Sequence, residues 1–164
     1  MKPTFQGNPV SLVGNILNIG ENAPEVTLPG KDLNEVKVGG VSEKYQIINV
    51  VPSLDTGVCA MQTKKFNTEA SKLPNAEVFV ISMDLPFAQG RFCSTEGIED
   101  LTVLSDFRNK EFGEKYGLLI NDTALKGLLT RAVIVIDPEG KIIYQEVVPE
   151  ITTEPNYQAV LNLF

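Results

Sequence analysis

Apolar runs alternate along the chain with stretches of helical periodicity, an arrangement typical of an α/β domain. Two runs, Tyr45–Val51 and Glu77–Ser82, predict buried strands, and the first is apolar on both faces, as in a central strand. Between them, the spacing of apolar positions predicts a helix over about residues 58–73, which stops at Pro74. This strand–helix–strand order predicts a parallel crossover unit.

Shorter patterns complete the prediction. Brief strands are expected at residues 26–28, 35–38 and 101–104, a helix or ordered loop at 86–96, a helical segment at about 109–116, irregular structure at 117–130, a hairpin of residues 132–136 and 141–147, and a last helix that begins at 154–155. A further hairpin is expected over residues 3–14, with Thr4-Phe5-Gln6 and Val10-Ser11-Leu12 as strands around Gly7-Asn8-Pro9. The alternative for that segment is a frayed terminus.

This order of elements is typical of a thioredoxin-like domain. We therefore expect an α/β fold with a mixed central sheet flanked by helices, an N-terminal β-hairpin, and an insertion at about residues 86–116. The 164 residues suit one domain, so residues 1–164 are expected to form a single unit. Hydrophobic residues at 43% and charged residues at 21% are values typical of a globular chain.

Composition excludes several classes of function. The chain has no histidine, which eliminates His-based acid–base catalysis and the usual His-bearing metal sites, and two cysteines cannot form a four-thiolate site. We expect no metal and no cofactor. The net charge of −7, without a basic cluster, argues against a nucleic-acid partner. No apolar run approaches the roughly 18 residues of a membrane span, and the first eight residues lack a signal-peptide core, so a cytoplasmic protein is expected.

Cys59 is the first candidate for chemistry. It follows Pro52, which ends the preceding strand, and a turn-forming stretch that leads into the predicted helix. In the first turn of a helix, free N–H groups and the positive end of the dipole favour an anion, so a thiol placed there ionises more easily. The alternative is a small buried hydrophobe, a common role for free cysteine.

Cys93 lies far downstream and does not form a Cys-x-x-Cys pair with Cys59. It is either a buried free thiol, half of a permanent disulfide, or a redox partner of Cys59. A chain of this length does not need a permanent disulfide for stability, and a reducing cytoplasm disfavours such a bond. We therefore favour a redox-cycling pair.

The spacing Pro-x-x-x-Thr-x-x-Cys at Pro52, Thr56 and Cys59 resembles the active-site pattern of peroxiredoxins. Residues 52–59 (PSLDTGVC), the run KFN at 65–67, and the segment DLPFAQ at 84–89 followed by RFC at 91–93 are similar to the bacterial thiol peroxidase branch, an atypical two-cysteine type. Residues 5–10 (FQGNPV) and 151–155 (ITTEP) also resemble its terminal segments, without a catalytic assignment. Met61 and Gln62 depart from the smaller residues expected after Cys59, and the final helix is a little short for the family.

The resemblance implies a peroxide-reducing enzyme with Cys59 as the peroxidatic and Cys93 as the resolving cysteine. It implies that Pro52 shields the sulfur and that Arg131, in the stretch GLLTRAV at 127–133, faces Cys59. The hydroxyl of Thr56 could bond both thiolate and peroxide, because a hydroxyl donates and accepts. By themselves these residues have plainer alternatives: a strand terminator for Pro52, a turn former or helix cap for Thr56, and a solvated charge for Arg131.

The expected substrates are hydrogen peroxide and organic hydroperoxides, and the family implies thioredoxin as reductant and a homodimer. Cys59 would become a sulfenic acid and then form an intrachain disulfide with Cys93. A disulfide needs Cα atoms about 4.4–6.8 Å apart, a distance that two different helices are not expected to provide in the reduced state. We therefore expect local unwinding around both cysteines during turnover. Two other classes stay open at this stage: a non-catalytic redox sensor, and a thioredoxin-fold binding module with inert cysteines.

Overall fold

A computed structural model describes residues 2–70 and 72–164; within them the chain forms eleven strands and four helices. The strands are β1 (Thr4–Phe5), β2 (Asn8–Pro9), β3 (Leu12–Val13), β4 (Val26–Pro29), β5 (Glu35–Val38), β6 (Tyr45–Val50), β7 (Ala76–Ser82), β8 (Thr102–Ser105), β9 (Leu119–Ile120), β10 (Ala132–Ile136) and β11 (Ile142–Val147). The helices are α1 (Gly57–Ala70), α2 (Pro86–Glu96), α3 (Glu111–Tyr116) and α4 (Tyr157–Leu161).

The central sheet has the strand order β11-β10-β6-β7-β8. Strands β6, β7 and β8 are parallel, whereas β10 runs antiparallel to both β6 and β11. Helix α1 makes the crossover from β6 to β7. This is the predicted mixed sheet flanked by helices, and the thioredoxin-like fold is confirmed.

Successive residues of β6 serve opposite faces of the sheet, as the pleat requires. Ile48 belongs to the apolar cluster that includes Phe112 and Tyr116, whose stacked ring centroids lie 4.3 Å apart. Ile47 belongs to the cluster on the other side, where Phe66 of α1 is buried. Burying one such side chain stabilises the fold by about 1.5–3 kcal/mol, so α1 is held firmly against the sheet.

The N-terminal hairpin is present, but the predicted turn and second strand were wrong. Strand β1 pairs directly with β2, so Asn8 and Pro9 are strand residues and the turn consists of Gln6 and Gly7. Both turn residues have positive φ, 52° and 83°, the conformation that a two-residue hairpin turn requires. Strand β3 pairs instead with β9, so residues 117–130, predicted to be irregular, contain a short strand.

Some predicted boundaries shift. Helix α1 ends at Ala70 in the described residues, short of the predicted 73, and Ser71 lies outside them. The last helix begins at Tyr157 rather than at residue 154, capped by the Asn156 side chain, which accepts from the Ala159 N–H. Within residues 2–70 and 72–164, none of the helices combines the length and the hydropathy that a membrane crossing requires.

Candidate active site

Cys59 is the third residue of α1, directly after the loop that leaves β6. The first helical hydrogen bond runs from the Ala60 N–H to the Thr56 carbonyl at 2.9 Å. The N–H groups of Gly57, Val58 and Cys59 therefore belong to the first turn, where a helix favours negative charge. The Cys59 side chain is fully buried.

The loop before α1 is held by a carboxylate. Asp84, just after β7, accepts hydrogen bonds from the Ser53 hydroxyl and the Leu54 N–H, both at 2.7 Å, and from the Ser82 hydroxyl at the same distance. A carboxylate that binds several donors fixes a loop better than a neutral acceptor does. Asp84 thus sets the path by which the chain enters α1 and places Cys59.

Arg131 directly precedes β10 and is buried, with 2% of its surface exposed. Its guanidinium is fixed at all three nitrogens: Nη2 donates to the Cys59 Sγ at 3.2 Å, Nη1 to the Gln62 Oε1 at 2.9 Å, and Nε to the Ile151 carbonyl at 2.8 Å. The carbonyl and the amide oxygen are neutral, so the charge of the guanidinium is not cancelled by them. A fixed, buried cation therefore contacts the sulfur.

Gln62 is also fixed on its other side. Its Nε2 donates to the Asn49 Oδ1 at 3.4 Å, and the Asn49 Nδ2 donates to the Phe79 carbonyl at 3.3 Å. Both amides are fully buried. This chain of hydrogen bonds connects the central strands to Arg131 and determines which amide atom Gln62 presents to the guanidinium.

The other two predicted site residues lie in the same loop. Pro52 lies two residues after the end of β6 and is buried. Thr56 is exposed, and its hydroxyl donates to the Ser53 carbonyl at 3.3 Å rather than to the sulfur. The structure therefore brings Cys59 and Arg131 into contact. Thr56 lies three residues before Cys59, at the solvent-exposed edge of the site.

Cys93 lies in α2 and is a free, buried thiol, as is Cys59. Both belong to one apolar cluster that also contains Val51, Leu54, Val80, Ile98 and Val103. Burial raises the pKa of the Cys93 thiol, and Lys31 opposes that shift. Cys93 is therefore held protonated, away from water, in the same cluster as Cys59.

The chain is similar to several known proteins. The family model described as Redoxin matches residues 18–161. A thiol peroxidase from Campylobacter jejuni is 59% identical over 152 residues, 93% of this chain and 86% of that protein. A thiol peroxidase from Aquifex aeolicus is 54% identical over 158 residues, 96% of this chain and 93% of that protein.

The chain belongs to the Redoxin family, among the thiol peroxidases. A crystal structure of a peroxiredoxin-like protein from Aquifex aeolicus is similar to it, with a TM-score of 0.96, 52% identity, and coverage of 99% of this chain and 94% of that one. The chain is thus a peroxiredoxin-type oxidoreductase. The resemblance on which the sequence prediction depended is confirmed.

The thiol peroxidase also has a cavity of about 520 Å³ beside the site. It lies between the loop before α1 and the exposed side of α2, and its lining includes Leu54, Arg91 and Phe92 but neither Cys59 nor Arg131. The cavity therefore borders the loop that leads into α1 and the helix that carries Cys93.

Sequence reasoning missed the supports of this site. Gln62 is a departure from the family and falls at helical spacing, and its position three residues after Cys59 places it on the same face of α1, but no role follows from that pattern. Met61, the other departure from the family, is 53% exposed. Asn49, a polar residue inside an apolar strand, carried a signal as well, because buried amides are nearly always hydrogen-bonded.

Proposed function

We propose that this thiol peroxidase reduces hydrogen peroxide and organic hydroperoxides through Cys59. The observation that carries the proposal is the 3.2 Å contact between the Arg131 Nη2 and the Cys59 Sγ in a buried site. A fixed cation beside the sulfur stabilises the thiolate, which is the nucleophilic form. It also stabilises the negative charge that develops on the peroxide oxygens as the O–O bond breaks.

In the proposed reaction, the Cys59 thiolate attacks one peroxide oxygen in line with the O–O bond. An S–O bond forms, the O–O bond breaks, and the leaving oxygen takes a proton and departs as water or alcohol. Cys59 becomes a sulfenic acid. The exposed Thr56 hydroxyl exchanges its bond to the Ser53 carbonyl for one donated to the bound peroxide, and Pro52 keeps water away from the sulfur.

Cys93 then resolves the sulfenic acid. Its thiol attacks the Cys59 sulfur, an intrachain disulfide forms, and water leaves. Since the two cysteines belong to different helices and burial disfavours the Cys93 thiolate, α1 and α2 unwind locally before this step. An external dithiol reduces the disulfide by exchange, and thioredoxin is the reductant that the peroxiredoxin family implies.

The proposed setting is cytoplasmic peroxide defence by a homodimer of single-domain chains. Leu85 and Phe87, at the start of α2, support a protein contact there, because 50% and 69% of their surfaces are exposed. Analytical ultracentrifugation tests the oligomeric state: a single boundary at the monomer mass across micromolar concentrations would contradict the dimer.

A peroxide-consumption assay with thioredoxin, thioredoxin reductase and NADPH tests the reaction. Cys59→Ser should abolish turnover. Cys93→Ser should stop the cycle yet still permit one round of oxidation, seen by mass spectrometry as a sulfenic acid on Cys59. Undiminished turnover in either variant contradicts the mechanism, and turnover with glutaredoxin but not thioredoxin contradicts only the reductant.

A further inference from the structure

The two terminal segments that had no catalytic assignment meet at one side chain, Glu150. Its carboxylate accepts five hydrogen bonds, from the Thr4 hydroxyl at 2.8 Å, the Gln6 N–H at 3.2 Å, the Gly7 N–H at 2.9 Å, the Thr152 N–H at 3.0 Å and the Thr152 hydroxyl at 2.7 Å. Three of these donors belong to the N-terminal hairpin. Glu150 therefore fastens that hairpin to the segment that follows β11.

The backbone makes the same connection. The Thr4 N–H donates to the Pro149 carbonyl at 2.7 Å, and the Ile151 N–H donates to the Thr4 carbonyl at 2.8 Å. Strand β1 thus lies alongside residues 149–151. The hydrogen bonds from Thr152, then Gly7 and Thr4, lower the pKa of Glu150 to about 2, so the carboxylate stays ionised and an acceptor near neutral pH.

The segment held in this way carries one of the supports of the active site. The Ile151 carbonyl accepts the hydrogen bond from the Arg131 Nε at 2.8 Å. The Val148 N–H also donates to the Arg131 carbonyl at 3.0 Å, so the segment contacts both the side chain and the backbone of that arginine. The Ile151 side chain is buried in a cluster with Val10, directly after the hairpin, and Ile120.

We propose that Glu150 is a positioning residue for the peroxidase reaction. By fastening the hairpin to residues 149–152, it holds the Ile151 carbonyl at the Arg131 Nε. That bond fixes the rotation of the guanidinium, because a planar group held at Nε and at Nη1 has one remaining direction for Nη2. The remaining direction is toward the Cys59 Sγ. The inference rests on the proposed function, in which Arg131 stabilises the Cys59 thiolate.

The test measures the Cys59 thiolate directly, in a Cys93→Ser background where Cys59 is the only cysteine. The rate of alkylation by iodoacetamide is recorded against pH. Glu150→Ala should move the midpoint of the profile upward by about one pH unit, as a loosened cation stabilises the thiolate less. Thr4→Val, which removes one donor to the carboxylate, should move it in the same direction by less.

The matched control is Glu139→Gln, an exposed glutamate in the turn between β10 and β11, whose profile should match that of the parent. Hydrogen exchange at the Gln6 and Gly7 amides reports loosening of the hairpin in the same samples. In Glu150→Ala, faster exchange at these two amides together with an alkylation profile identical to that of the parent would mean that Glu150 only stabilises the fold. The inference would then be wrong. Alkylation needs no peroxide, so failure of the proposed function is detected separately, as a parent protein that does not react with hydroperoxide.

Discussion

The guanidinium of Arg131 reaches the sulfur of Cys59 across a distance of 3.2 Å, although the two residues belong to different layers of the fold. Cys59 lies in α1, and Arg131 is the residue directly before β10, which lies between β11 and β6 in the sheet. Strands β10 and β6 are hydrogen-bonded neighbours, and α1 follows β6, so the topology of the sheet creates the contact.

Arg131→Lys should slow the oxidation of Cys59 by peroxide about 100-fold. Lysine keeps the charge but cannot reproduce three hydrogen bonds in a fixed plane, and loss of one preorganised donor typically costs 10²–10³ in rate. The chain has no tryptophan, so quenched flow with mass spectrometry of Cys59 is the suitable measurement. Arg108→Lys, at an exposed arginine paired with Glu35, is the control and should leave the rate unchanged. A parental rate in Arg131→Lys would remove Arg131 from the chemistry.

Thr56→Val should slow the same step about tenfold, whereas Thr56→Ser should react at nearly the parental rate. The reason is that the proposed role needs the hydroxyl and not the methyl group, and a hydrogen bond to a charged partner contributes about 1.5–3 kcal/mol. Thr56→Val loses the hydroxyl and with it the bond to the Ser53 carbonyl, whereas Thr56→Ser keeps both. Equal rates in the two variants would leave Thr56 as a helix-terminal residue without a part in catalysis.

Formation of the Cys59–Cys93 disulfide should unwind part of α2. In the reduced protein, the Ile98 N–H donates to the Cys93 carbonyl at 2.9 Å and closes the end of that helix. Hydrogen exchange of residues 93–98 should therefore accelerate after one equivalent of peroxide and return to its initial rate after reduction. Cys59→Ser, treated in the same way, should show no change. Identical protection in the reduced and disulfide forms would mean that the bond forms without unwinding.

The stability of the protein should depend on pH through Asp106. Burial raises the pKa of this carboxyl to about 6, in spite of hydrogen bonds from the Gly113 and Phe112 N–H groups, which lower it. The pKa of Asp106 in the folded state lies above the unfolded value of 3.8, so the folded state binds the proton more tightly. The contribution of this proton to the free energy of unfolding is complete below about pH 4 and is lost as pH rises through 6. Its full size is about 2–3 kcal/mol. Urea unfolding at pH 4.5 and 7 should show the dependence, and in Asp106→Asn that part of it should vanish.

Two glycines at helix ends form a matched pair. Gly97 and Gly117 end α2 and α3 with φ of 68° and 70°, but a Cβ at Gly97 would meet nothing within 4 Å, whereas one at Gly117 would lie 2.3 Å from the Asn15 carbonyl oxygen. Gly97→Ala should cost about 1–2 kcal/mol of unfolding free energy, the conformational penalty alone. Gly117→Ala should cost about 3 kcal/mol or more, since backbone must move as well. Equal losses in urea unfolding would show that the backbone around Asn15 yields easily.

The sequence predicted what short-range patterns decide. Residues 45–51 and 77–82 are apolar enough to be central strands, and the turn before Cys59 places that cysteine in the first turn of a helix. Arg131 was different, because an isolated arginine before a strand is usually solvated, and only the family resemblance assigned it to the site. Its burial depends on Gln62 and Ile151, which are distant in sequence.

The errors have physical causes as well. The predicted hairpin turn is wrong because Pro9, a residue type that favours turns, lies in a strand, whereas Gln6, which has no strong turn preference, adopts a positive φ. No sequence pattern marks Glu150, since a carboxylate that binds backbone N–H groups leaves no pattern in the sequence. Its importance depends on the pairing of two chain ends, which only the tertiary structure provides.

The neutral acceptors around Arg131 have a consequence for the order of events in the cycle. While Cys59 is a thiolate, cation and anion balance each other inside the protein. Once the sulfur carries oxygen as an uncharged sulfenic acid, the guanidinium stays behind with no counter-charge in a place that excludes water, which is a costly arrangement. In the proposed cycle, oxidation of Cys59 would therefore destabilise the packing around the sulfur and favour the local unwinding that brings Cys93 to it.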